Sequence, residues 1–201
     1  MSLIAKESGS NFKNVNPGSY TGRCIWVVDI GTQHSEFQGE KLAIRQVVIS
    51  WELPTEKIFE GEYAGMPYMV SKFYRNSLHE KANLRKDLEA WRGKEFTAEE
   101  LKGFDLTKVL GAPCMLSVIH NDKGRTKING VIALPKGIIV PEQINPSIFF
   151  DIDKFDQDIF NSLAPWLQKM IMASDEYKYP NQDVDKGDEP PPIEDDSEIP
   201  F

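Results

Sequence analysis

Cysteine is scarce in this chain of 201 residues: Cys24 and Cys114 stand far apart, each inside an apolar run. Two such residues give no disulfide framework and no zinc motif, and they read as small buried hydrophobes in a reducing compartment. Histidine is nearly as rare. His34, His79 and His120 fall near a turn, on a helix and at a strand end, and no pair has metal-ligand spacing. Long apolar runs are missing too, since no stretch approaches the roughly 18 residues needed to cross a bilayer. The polar opening with Lys6 and Glu7 lacks the apolar region of a signal peptide. The expectation is a cytoplasmic protein with no membrane partner. Neither a G-x-x-x-x-G-K-[ST] loop nor a G-x-S-x-G elbow is present. Glu99-Glu100, or Asp151 with Asp153, resemble ordinary surface and helix-start carboxylates more than an Mg²⁺ site. These absences argue against an enzyme, and no cofactor or metal is expected.

Charge is present but lopsided. From Asp175 onward ten acidic residues face only Lys178 and Lys186, so this stretch carries the whole formal charge of −8. The body is therefore neutral overall. A neutral body still accommodates a basic groove, because surface charges more than about 8 Å apart are largely screened at physiological salt.

Residues 1–16 are polar and Ser/Asn-rich, which predicts a mobile arm. Pro17-Gly18 then opens a β-type run from Ser19 to Thr32, where Gly22 and Gly31 predict a bend or bulge. Gln38-Gly39 marks a turn. Leu42 to Leu53 predicts a second strand with Val47, Ile49, Trp51 and Leu53 on one face, stopped by Pro54. Pro67 to Arg75 predicts a third. The period then switches to helical over Ser77 to Arg92, with Gly93 as its stop. Thr97 with Glu100 has the spacing of a capping box. Cys114–His120 and Thr126–Leu134 flank Asn121-Asp122-Lys123-Gly124-Arg125, the pattern of a hairpin. An amphipathic stretch over 156–173, interrupted at Pro165, either packs on the body or mediates self-association.

Three strands, a helical insertion and two further strands is the order of an OB-fold, a five-stranded Greek-key barrel. The expected fold is therefore mainly β: an OB domain over 17–150, a helical extension over 151–173, and a disordered acidic tail over 174–201. An unrelated small α+β sheet is the alternative.

Single-stranded nucleic acid needs cations for its backbone and aromatic platforms for its bases. The third strand offers Lys72 and Tyr74 on one face and Phe73 and Arg75 on the other. The first pair is expected to line a groove, with Phe73 in the core; an aromatic strand packed inside with solvated cations is the plainer reading. Trp26 and Trp51 lie on the first two strands, as core or as platforms. Lys81, Arg85 and Arg92 extend a basic track along the helix unless Glu80, Asp87 and Glu89 pair with them. Lys123, Arg125 and Lys127 form a basic finger at the hairpin.

The chain closes on Glu194-Asp195-Asp196-Ser197-Glu198-Ile199-Pro200-Phe201. An acidic spacer of this composition cannot offset its ordering entropy, which leaves Ile199, Pro200 and Phe201 as a hook. A basic-rimmed apolar pocket on a partner takes such a ring for about 1.5–3 kcal/mol. This ending resembles the C-terminal tip of bacterial-type single-stranded DNA-binding proteins, from which it departs by Ser197 and Glu198 in place of an unbroken aspartate run. Lys72 to Arg92, with Gly93 and Phe96-Thr97, resembles phage-encoded OB-fold single-stranded DNA-binding proteins, loosely over residues 16–150. That resemblance implies a protein of a host cell's cytoplasm that coats transient single strands in replication, recombination or repair. It also implies recruitment of replication and repair proteins through Glu194, Asp195, Asp196, Glu198, Ile199, Pro200 and Phe201. The competing reading is an OB-fold adaptor of the replication machinery that does not itself touch DNA.

Overall fold

A computed structural model describes residues 15–37 and 40–180. The Gln38-Gly39 turn, most of the N-terminal arm and the C-terminal tip lie outside the described residues.

The architecture is mainly β. β1 (Gly18–Phe37), β2 (Glu40–Lys57) and β3 (Pro67–Arg75) form an antiparallel meander. Helices α1 (Asn83–Arg92) and α2 (Ala98–Lys102) and a 3-10 turn (Leu106–Val109) follow, then β4 (Pro113–His120) and β5 (Thr126–Ile132). The hydrogen-bonded path runs β3-β2-β1-β4-β5, with β1 shared between β2 and β4. Its two end strands, β3 and β5, bring Cα atoms within 8 Å of each other. The expected five strands are in fact six: β6 (Ile148–Phe150) pairs parallel with Trp26–Val28 of β1. Three residues are too short a run to announce a strand by alternation.

β1 is long because it bends. Register shifts fall between Cys24 and Trp26 and between Asp29 and Gly31. The first shift turns the alternation over, so that Cys24 and Val27 share one side of the sheet, with Val28 and Ile30 on the other. Gly31 takes φ +70°, and a Cβ there would stand 2.5 Å from Glu176 Oε2. Gly22 marks close packing rather than a bulge, since its Cβ would meet Leu116 Cδ1 at 2.8 Å. Pro54 does not end β2, which continues to Lys57 across an irregular register.

Two apolar layers result. The inner one holds Val47, Ile49, Trp51, Leu53, Val70 and Tyr74 from the sheet, closed by Leu84, Leu88 and Trp91 of α1. Trp51 and Trp91 lie 5.9 Å apart between ring centroids. α1 begins at Asn83 rather than Ser77. Upstream, Ser77 Oγ accepts from His79 N–H, while His79 Nδ1 and its carbonyl accept from Lys81 and Ala82, so local bonds displace the first helical turn. Gly93 caps α1 in the left-handed conformation, and Thr97 with Glu100 completes the capping box of α2.

The outer layer covers the opposite face of β1 and β2 with α3 (Gln157–Ser162) and α4 (Pro165–Ala173). Pro165 opens α4 instead of breaking one long helix. Phe160, Leu163, Leu167 and Ile171 are all buried against Val28, Ile30, Val48 and Phe150. The amphipathic stretch therefore packs on the body.

Both ends of the ordered body extend further than composition implies. Val15 is buried in the inner layer, and its carbonyl meets His120 Nε2 at 2.9 Å. Residues 174–178, assigned above to the disordered tail, form the short helix α5 (Asp175–Lys178). Glu176 accepts from Thr32 N–H at 2.6 Å and Thr32 Oγ1 at 2.7 Å, and Asp175 lies 2.7 Å from His34 Nε2. These polar contacts, with the Tyr177 ring stacked 6.1 Å from Phe160 and lying 5.7 Å from Phe155, hold an otherwise acidic segment on the body.

Candidate nucleic-acid interface

On β3 the alternation is as expected but the faces are exchanged. Tyr74 points into the inner layer and is 1% exposed, which removes it as a stacking platform. Its hydroxyl donates to Asp87 Oδ2 at 2.7 Å, and Lys72 Nζ donates to the same oxygen at 2.7 Å. Lys72 also lies 5.3 Å from the Tyr74 ring centre. Burial, and then the Asp87 carboxylate, hold the Tyr74 hydroxyl well above its ordinary pKa. Lys72 is thus neutralised by α1 rather than open to phosphate. Phe73, expected in the core of the barrel, is on the outer face, 5.9 Å from Trp166 of α4. Arg75 shares that face and is buried, 5% exposed.

The same exchange settles the tryptophans. Trp51 is fully buried beside Trp91, and Trp26 is half-buried under the outer layer. Rows across the outer face read Trp26–Ser50–Ser71 and Val28–Val48–Phe73. The helices α3 and α4 thus cover the outer face of β1 and β2 and touch β3 at Phe73, while Met69 on the same face of β3 stays exposed. Re-exposing Phe160, Leu163, Leu167 and Ile171 alone would cost about 6–12 kcal/mol. Stacking one base returns about 1–3 kcal/mol, so the cover stays shut.

The basic track on the helix is mostly engaged. Arg85 donates to Glu89 at 2.9 Å, and Arg92 pairs with Glu100 while lying over the Phe96 and Phe104 rings. Lys81 is exposed. Only Arg85 thus takes a partner, Glu89, from the set that the charge pattern of the helix offered; Asp87 goes to Lys72 of β3, and Arg92 to Glu100 of α2.

The hairpin residues fare differently. Lys123 and Arg125 are exposed, Lys127 is half-buried, and none has an ion-pair partner among the described residues. The tip is rigidly built: Asn121 Oδ1 accepts from Lys123 N–H at 3.1 Å and Arg125 N–H at 2.9 Å, with Gly124 at φ +70°. β2 and β4 both run antiparallel to β1, so the β2–β3 loop and the β4–β5 hairpin leave the same end of the sheet. Two residues of that loop were missed in the sequence: Phe59 is 81% exposed and Tyr63 52% exposed. Aromatic rings inside a Glu/Gly stretch without alternation were the available signal.

Cys24 and Cys114 are both free and buried, and burial pushes both thiols far above their usual range. Among the described residues no group of three or more His, Cys, Asp or Glu is arranged to hold a metal ion. No described helix is long and apolar enough to cross a membrane. Glu194, Asp195, Asp196, Glu198, Ile199, Pro200 and Phe201 lie outside the described residues. No protein-family model matches the chain, and no curated protein matches it.

Proposed function

We propose that this protein binds single-stranded DNA without sequence preference through an OB-type barrel, and recruits replication or repair proteins through its acidic C-terminal tip. The observation that carries the reading is the strand path. A β3-β2-β1-β4-β5 order, with β3 and β5 approaching each other and α1 between β3 and β4 in the chain, is the connectivity of a partly open five-stranded Greek-key barrel. The three hairpin cations support it from an independent direction, because single strands are held first by their phosphates. The tip supports recruitment: its Phe201 follows a spacer whose charge leaves it in water until a pocket is met.

The test is a titration of the full chain with oligo-dT, a duplex of equal length and an RNA of the same composition. Oligo-dT is expected to bind much more tightly than duplex, with affinity falling steeply as salt rises. Equal affinity for single and double strands rejects the reading.

One observation favours a second reading, an OB-fold adaptor that contacts only proteins. α3 and α4 cover the outer face of β1 and β2 and touch Phe73 of β3, part of the face that OB-folds use for oligonucleotides. On that reading the chain retains no oligo-dT at any salt, while a peptide ending in Glu194–Phe201 still binds its partner.

A further inference from the structure

We infer that single-stranded DNA is taken at the end of the sheet, not across its face: Phe59 and Tyr63 of the β2–β3 loop stack on bases while Lys123, Arg125 and Lys127 of the β4–β5 hairpin meet the backbone. The inference rests on the DNA-binding reading and specifies where on the molecule it occurs.

Elimination supplies half of the argument. Trp51 and Tyr74 are sealed in the inner layer, and Trp26 and Phe73 are partly covered by the outer one. Trp51 and Tyr74 therefore offer no open face, and Trp26 and Phe73 only part of one. Phe59 is the most exposed aromatic ring among the described residues, and water is a poor environment for it. The loop that carries it is nevertheless ordered. Ile58 N–H donates to the Met66 carbonyl at 2.9 Å, Gly65 N–H returns to the Ile58 carbonyl at 2.8 Å, and Met66 N–H reaches the Tyr63 carbonyl at 3.0 Å. A turn closed in this way holds its rings outward at little further entropic cost on binding.

The hairpin supplies the other half. Its three cations lie within five positions on a braced tip, anchored at its base where His120 and Thr126 both meet the Val15 carbonyl. Charge divides the labour between the two loops. The β2–β3 loop (58–66) has no Lys or Arg beside its rings, so it offers flat faces rather than charge to a strand. The hairpin sets three cations against Asp122 and attracts the backbone. A strand lying along this end turns its phosphates to the hairpin and its bases to the loop.

The two loops give separable signatures in an oligo-dT titration of the full chain at several salt concentrations. Phe59→Ala with Tyr63→Ala should weaken binding at least about tenfold, and leave the slope of log K against log salt unchanged, because stacking moves no counterions. Lys123→Ala, Arg125→Ala and Lys127→Ala together should make that slope shallower by about 2, since each single-strand phosphate that is no longer neutralised removes about 0.7. Circular dichroism and melting temperatures matching the parent confirm that the substitutions leave the fold intact. A parent that binds oligo-dT, with the ring variant equally tight, overturns the inference and leaves the DNA-binding reading standing. A parent that does not bind oligo-dT at all brings down that reading, and this inference with it.

Discussion

The two faces of the β2–β3 ribbon are closed by parts of the chain at very different distances. Leu84, Leu88 and Trp91, which seal the inner face, follow β3 directly. The outer face waits for Phe160, Leu163, Leu167 and Ile171, which come after every strand. Each seal also carries a polar lock: Asp87 holds both Tyr74 and Lys72 inside, while outside Arg45 joins Asp29 to Asp153 and Gln33 donates to the Met170 carbonyl. The inner face is therefore sealed, whereas the outer one keeps part of β3 in solvent, with Met69 exposed and Ser71 and Phe73 half-buried.

Matched cavities in the two layers give the largest test of this comparison. Trp51→Ala inside is expected to cost about 3–5 kcal/mol and Leu167→Ala outside about 2–5 kcal/mol, read from urea unfolding as one cooperative transition. An early, separate transition for Leu167→Ala would mean that the outer layer is a detachable cover, and the equivalence of the two faces would break.

Alkali sharpens the contrast with a smaller effect. Cys24, Cys114 and Tyr74 all belong to the inner layer, and burial raises the pKa of each. In the unfolded chain thiols ionise near pH 8.5 and tyrosine near pH 10, at about their reference values. Above those values the unfolded state binds fewer protons than the folded one. Stability is therefore complete below about pH 8.5 and falls as pH rises, by up to about 1.4 kcal/mol per pH unit for each group. Cys24→Ala with Cys114→Ala should flatten the decline between about pH 9 and 10, measured as urea midpoints, while Leu167→Ala should leave the slope as it was.

The smallest effect lies outside both layers. α2 has no buried residue, and its end is fixed by Thr97 and Glu100. Thr97→Ala should cost about 0.5–2 kcal/mol in thermal or urea unfolding, less than either cavity.

Alternation made the strands legible, and Pro67–Arg75 coincides with β3. The capping box and the Gly93 stop were equally plain, because each is a local hydrogen-bonding device that needs no tertiary context. Period 2 separates Lys72 and Tyr74 from Phe73 and Arg75 but does not say which pair faces inward. That depends on α4 supplying Trp166 against Phe73 and α1 supplying Asp87 beneath Tyr74. The consecutive Val47, Val48 and Ile49 already carried the hint, since a strand buried on both faces loses its polar alternation. β6 and α5 stayed hidden for another reason: one is three residues long, and the other is held by Glu176 and Tyr177, which composition assigns to a solvated tail.

Glu176 has one more consequence. The Thr32 amide that it receives points away from β2, toward the side on which β1 has β4 and β6 as neighbours nearer its beginning. There a side-chain carboxylate stands in for an absent strand, filling the hydrogen bond that an extended peptide would need in order to register on β1. An extended peptide approaching that stretch of β1 would find the Thr32 donor already taken.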